Sequence, residues 1–212
     1  MQNPNLDRRA WRRVKLLCGV DEAGRGALAG PVVAAAVVLP PWMDMPGVDD
    51  SKKLSPRRRE ELFGEIAAKA VGIGVGFIPA DEIDETNILL ASLKAMNYAC
   101  RRLAFRVEPE LVFVDGNQAI PDLPWPQEPF PHADGLSLSV AAASIVAKVL
   151  RDRYMVQLDT SYPGYDFRRH KGYATQEHVG IIRKLGPSPV HRRTFRPCTE
   201  CSEPEVHEIK ID

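Results

Sequence analysis

Two apolar runs that each end abruptly in an acid place the tightest limit on how this chain can fold. Val14–Val20 leads into Asp21 and Glu22, and Leu111–Val114 leads into Asp115. Short apolar runs of this kind read as buried strands. In sheets with helical connections, ligands bind outside the carboxyl ends of the strands. Acids at such ends on neighbouring strands converge on one small volume, where like charges repel and one carboxylate is driven to keep its proton. A divalent cation removes that conflict, and a hard ion such as Mg²⁺ suits oxygen ligands without imidazole or thiolate. Asp21 and Glu22 are adjacent, so in a regular strand they face opposite sides. Both serve one site only if the chain turns there, which Gly24 and Gly26 permit. The plainer readings are a turn at Asp115-Gly116-Asn117 and solvated or helix-capping acids at Asp21 and Glu22.

The remaining pattern is strands first, then strands alternating with helices. Pro31–Leu39 and Val71–Ile78 read as further strands. Ser55 is an N-cap for a helix over Pro56–Ala70, with Pro56 at its first position. Thr86 starts a long helix to about Phe105, whose Leu89, Leu90, Leu93, Met96 and Ala99 share one face. Leu138–Leu158 and Ala174–Leu185 are also helical by pattern, and the proline-rich Pro121–Pro131 reads as a loop. This order predicts an α/β fold, a mixed central β-sheet flanked by helices, with a helical C-terminal part.

Composition sets outer bounds. With 212 residues, one domain with a small appendage is expected. Lys plus Arg and Asp plus Glu both number 28, so bulk positive charge is not what holds a partner. Charge is nonetheless clustered: Lys52, Lys53 and Arg57–Arg59 form one basic group, and residues 168–196 another, interleaved with Tyr173. That pattern fits a phosphate backbone. The longest apolar stretch, Ala27–Trp42, is too interrupted to span a bilayer. Cys18 and Cys100 read as buried thiols, Cys198 and Cys201 as a pair lacking the other half of a zinc site, and a reducing cytoplasm as the expected compartment. Gly24-Arg25-Gly26 with Gly30 misses the dinucleotide fingerprint by one residue, and a strand follows where that motif needs a helix.

The run Asp21-Glu22-Ala23-Gly24-Arg25-Gly26 resembles type 2 ribonuclease H (ribonuclease HII). So, in the same order, do Asp50-Ser51-Lys52-Lys53-Leu54, the Asn87 region, Val114-Asp115-Gly116, Ala141–Lys148, Lys171-Gly172-Tyr173 and His191-Arg192-Arg193. The likeness covers about Leu16 to Arg196. It implies a ribonuclease H-like fold with a catalytic domain over residues 14–197, a basic leader over 1–13 and an acidic tail over 198–212. It implies an endonuclease that hydrolyses the RNA strand of RNA–DNA hybrids and nicks duplex DNA 5′ to embedded ribonucleotides, using two Mn²⁺ or Mg²⁺ ions and leaving 5′-phosphate and 3′-hydroxyl. Carried over residue by residue, Asp21, Glu22 and Asp115 are metal-binding acids, and Asp134 is the fourth. His132-Ala133 precedes Asp134 where many relatives have Lys-Gly. Asp152 is the competing candidate and reads as an ion-pair partner of Arg151 or Arg153. Gly24, Arg25 and Gly26 read the 2′-hydroxyl, Tyr173 stacks on the next sugar, and Ser51, Lys52, Lys148, Arg192 and Arg193 hold phosphates. His132, His170, His178 and His191 read as surface or phosphate-contacting side chains. No obligate protein partner is visible.

Two other functions compete on the sequence alone. A non-catalytic binder of hybrid duplexes would use the basic clusters equally well but gain nothing from four acids facing a polyanion. A nucleotide-dependent enzyme would use the glycine stretch for a small ligand.

Overall fold

A computed structural model describes residues 5–48 and 54–201. Its centre is β1 (Leu17–Ala23), from which the sheet grows both ways. On one side β1 pairs antiparallel with β2 (Val32–Val38), and β2 pairs antiparallel with β3 (Gly72–Ile78). On the other, β1 runs parallel to β4 (Leu111–Asp115), and β4 parallel to β5 (Gln127–Phe130). The order is β3-β2-β1-β4-β5, the mixed sheet expected. β1 and β2 are buried on both faces and read as near-continuous apolar runs for that reason.

Helices cover both faces. Among the described residues the α-helices, in chain order, are α1 (Asn5–Ala10), α2 (Pro56–Lys69), α3 (Ala80–Glu85), α4 (Ile88–Ala104), α5 (Leu138–Ser161), α6 (Phe167–His170) and α7 (Gln176–Leu185). Along β1 the side chains alternate. Leu17 and Ala23 join α5 and α2 in one core cluster, while Cys18 and Val20 join α4 in the other. Ser55 caps α2 as expected, its hydroxyl accepting from the Arg58 amide at 3.2 Å.

Close approach of helix to sheet rests on glycine. A Cβ on Gly19 would lie 2.1 Å from the Ser139 carbonyl carbon, and one on Gly76 would lie 1.8 Å from the Ala95 carbonyl oxygen. α5 and α4 are thus seated directly on the backbone of the sheet.

Within the basic leader, α1 packs on the core, Ala10 and Trp11 are buried, and Asp7 reaches the start of α5. The Asp7 carboxylate accepts from the Ser139 amide and hydroxyl, both at 2.8 Å. Two expectations need correction. The long helix expected from Thr86 begins after Asn87, whose side chain accepts from Leu90 N–H at 3.0 Å, and the acids before it form α3. The proline-rich stretch contains β5, an edge strand that tolerates Pro129 because it hydrogen-bonds on one side only.

Candidate active site

β1 and β4 are parallel neighbours with Val20 opposite Val114. Asp21 and Asp115 therefore stand at the same level at the carboxyl ends of adjacent strands. Asp21 points to the α5 side, where it hydrogen-bonds the Ser144 side chain, and its Oδ1 accepts the Glu22 amide at 2.7 Å. No turn intervenes between Asp21 and Glu22, contrary to the sequence expectation. Both belong to β1, and the turn follows at Gly24, where φ is +98°. Glu22 nevertheless stays within electrostatic reach of Asp115 and Asp21.

Burial lifts the Asp21 carboxyl well above its ordinary range, and the charges on Glu22 and Asp115 lift it further. Burial also raises Glu22, while Arg25, whose guanidinium lies 3.2 Å from Glu22, opposes the rise. One Glu22 oxygen, Oε2, is buried without a hydrogen-bond partner. Among the described residues no three such side chains form a preformed metal cage, although Asp21, Glu22 and Asp115 lie within electrostatic reach of one another. A donor set of carboxylate oxygens, one of them orphaned, fits hard divalent cations.

Asp134 sits in a one-turn 3₁₀ segment, Ala133–Gly135, immediately before α5. The Ala133 amide donates to Asp115 Oδ1 at 2.7 Å, so Asp115 holds the turn that carries Asp134. Asp134 is buried. Asp152 lies two turns into α5 from Ser144 and pairs with Lys148 at 2.8 Å. Its expected partners act elsewhere: Arg153 pairs with Glu60, and Arg151 donates to the carbonyls of Pro31, Lys171 and Ala29.

The loop after Glu22 meets the C-terminal part of the chain. Ala27 bridges Tyr173 and Ala29 bridges His191 as isolated antiparallel pairs. The Tyr173 ring is half-buried, with Lys148 Nζ 4.8 Å and the Arg151 guanidinium carbon 5.0 Å from its centroid. Lys148 thus stands beside Tyr173 while tied to Asp152.

Arg192, expected to hold phosphate, is turned inward instead. It is fully buried, and its guanidinium donates to the carbonyls of Gly30, Arg25 and Gly24 at 2.8–3.1 Å. Arg193 remains exposed, and its amide donates to Asp84 at 2.7 Å. Ser51 and Lys52 lie outside the described residues. The histidines also depart from expectation: among the described residues His170, His178 and His191 are buried together, and only His132 is exposed. Sequence reading missed Ser144 and Arg151 as well. Ser144 falls in the alanine-rich block of α5, where its small size is the sole cue.

Comparison with known proteins identifies a family. A family model described as Ribonuclease HII matches residues 18–198. The chain is 52% identical over 193 residues to a ribonuclease HII of Geobacter sulfurreducens, covering 91% of this chain and 88% of that protein. A ribonuclease HII of Lactobacillus gasseri is 48% identical, with 92% and 77% covered. Among solved structures, ribonuclease H2 of Pyrococcus horikoshii aligns with a TM-score of 0.70 at 27% identity, over 87% of this chain and 95% of that one.

Proposed function

The chain belongs to the ribonuclease HII family, and from that membership we propose that it hydrolyses the RNA strand of RNA–DNA hybrids and nicks duplex DNA on the 5′ side of embedded ribonucleotides. The products are a 5′-phosphate and a 3′-hydroxyl. The observation that supports this reading is that Asp21 and Asp115 end two adjacent parallel strands, with Glu22 in electrostatic reach of both.

Asp21, Glu22, Asp115 and Asp134 would hold two divalent cations, Mn²⁺ or Mg²⁺. When bound, such a pair supplies an acidified attacking water and charge relief at the leaving 3′ oxygen. The protein does the positioning. Ser144 orients Asp21 from α5, and the Ala133 amide occupies one lone pair of Asp115 Oδ1, which sets that carboxylate's direction. Arg25 lies on Glu22 and leaves the main chain of Gly24–Gly26 to read a 2′-hydroxyl, the handle that separates ribose from deoxyribose. Tyr173 supplies a half-buried ring for the sugar that follows, flanked by the cation of Lys148. Lys148, Arg193 and the segment bearing Ser51 and Lys52 contact phosphates, which position a duplex without reading its sequence. A reducing cytoplasm suits the buried thiols Cys18 and Cys100.

The test is cleavage of a DNA duplex carrying one ribonucleotide, with and without chelator, with the cut mapped. A chelator-sensitive nick on the 5′ side leaving a 5′-phosphate is the expected result. Intact substrate in the presence of Mn²⁺ and Mg²⁺ would sink the reading.

A further inference from the structure

Behind Tyr173 lies a buried chain of imidazoles whose protons are fixed by their partners. The Ser188 amide, which can only donate, points at His191 Nδ1 at 2.9 Å. His191 Nε2 meets His178 Nε2 at 3.0 Å. His178 Nδ1 meets the Tyr173 carbonyl, which can only accept, at 3.0 Å. With every ring neutral, one assignment satisfies all three contacts. His191 carries its proton on Nε2 and donates to His178, which carries its own on Nδ1 and donates to Tyr173. Burial favours that neutral state, lowering His178 to about 4 and His191 to about 3. His170 completes the layer. It stacks on His178 with centroids 4.0 Å apart, accepts the Gly172 amide at Nδ1, and contacts the Tyr165 carbonyl through Nε2 at 2.7 Å.

The two ends of this chain fasten to the two halves of the reading surface. At one end is the Tyr173 carbonyl. At the other, His191 bridges Ala29, and Arg192 grips the carbonyls of Gly24, Arg25 and Gly30 from beneath. Arg192 has no carboxylate partner among its hydrogen bonds to that loop, and a forked guanidinium that serves three carbonyls fixes their spacing in a way a point charge cannot.

We propose that His178, kept in its Nδ1-protonated tautomer by Ser188 and His191, and Arg192 are positioning residues that set the Tyr173 ring against the Gly24–Gly26 main chain and so determine the preference for a ribose–deoxyribose junction over a continuous hybrid. This rests on the proposed nicking at embedded ribonucleotides. None of the four touches the cleaved bond. Their effect is on which substrate fits, not on the carboxylates that act on it.

The experiment measures kcat/KM on two substrates, a DNA duplex with one ribonucleotide and a uniform RNA–DNA hybrid, using the same preparation of each full-length variant. The ratio of the two values cancels any fraction of misfolded protein. His178→Asn places an amide donor where Nδ1 stood and keeps the bond to the Tyr173 carbonyl. His178→Gln reaches His191 but releases that carbonyl. The ratio stays near wild type for His178→Asn and falls about fivefold for His178→Gln, the weight of one neutral hydrogen bond. Arg192→Lys also lowers it, because three carbonyls lose their common fork. Equal ratios for the Asn and Gln variants, or an unchanged ratio in Arg192→Lys despite a lower melting temperature, would reduce these residues to structural ballast. If the wild type cuts hybrid but never the single-ribonucleotide duplex, the nicking assignment itself has failed, which is a separate and earlier result.

Discussion

Gly19→Ala probes whether the carboxylate site depends on the contact between α5 and the sheet. The added Cβ would lie 2.1 Å from Ser139 C, 2.3 Å from Val140 N and 2.4 Å from Ser139 O. All three are backbone atoms in the first turn of α5, so no side-chain rotation relieves the clash. The same turn is pinned from behind by Asp7 through two bonds of 2.8 Å. Ordinary contact begins near 3.4 Å, so helix and strand must part by about 1.3 Å, the difference between those two distances. Overpacking of well-packed cores costs about 1–3 kcal/mol, and a clash with pinned backbone belongs at the upper end. For a chain of this size, ~3 kcal/mol lowers the melting temperature by roughly 6–12 °C. Asp21 lies two residues further on the same face, bonded to Ser144 of the displaced helix. Misplacement of about 1 Å can cost on the order of a hundredfold in rate. Thermal denaturation followed by circular dichroism, paired with the cleavage assay, reads both effects. Gly64→Ala is the control: Gly64 is exposed within α2 with nothing inside 4 Å of its added Cβ, and it gains up to about 1 kcal/mol in helix propensity. A Gly19→Ala protein that melts within about 2 °C of wild type and cleaves normally would refute the reasoning.

Asp115→Asn keeps an oxygen for the Ala133 amide, so its melting temperature holds while cleavage drops by more than the ~10–100-fold typical of outer-shell partners; residual activity near wild type would remove Asp115 from the site. For Asp21 the folded carboxyl holds its proton more tightly than in the unfolded chain. Its contribution to stability is therefore most favourable at low pH and declines as pH rises from about 4. In chelator, Asp21→Asn should melt above wild type at neutral pH, with the gap closing below about pH 4; a variant that melts lower across the whole range would contradict the raised carboxyl. Asp134→Asn should abolish cleavage. Asp152→Asn should cost only about 0.3–0.5 kcal/mol, as an i,i+4 pair does, and retain activity. The reverse pattern, seen in paired melting and cleavage measurements, would exchange their roles.

The parts of this molecule visible in its sequence are those where a residue's own chemistry announces its surroundings. β1, β2 and β4 are apolar because both faces are covered, and Ser55 caps a helix because its hydroxyl reaches a nearby amide. The meeting of Asp21 with Asp115 could be anticipated because each acid ends an apolar run. What stayed hidden depends on partners that leave no mark. Arg192 read as one of a basic cluster and Arg151 as an ion-pair partner of Asp152, yet each serves three main-chain carbonyls, and any residue could have supplied those. The histidines looked like surface groups because nothing local reveals that three positions spread over residues 170–191 stack behind one aromatic layer. β5 lacks both apolar alternation and β-branched residues; pairing with β4 makes it a strand. Asp7 disappeared into a basic leader because its partner, Ser139, lies 132 residues away.

The grip of Arg192 on Gly24 spans 168 residues of chain. Synthesis proceeds from the amino end, and domains begin to organise as they emerge. The strands bearing Asp21, Glu22 and Asp115 can associate while the segment bearing Arg192 is still inside the ribosome. The glycine loop then has its sheet beneath it but no guanidinium to draw its carbonyls inward. On the proposed assignment, a nascent or prematurely terminated chain would possess the metal-holding acids before the loop that chooses a sugar was set, which makes discrimination the last property to be acquired.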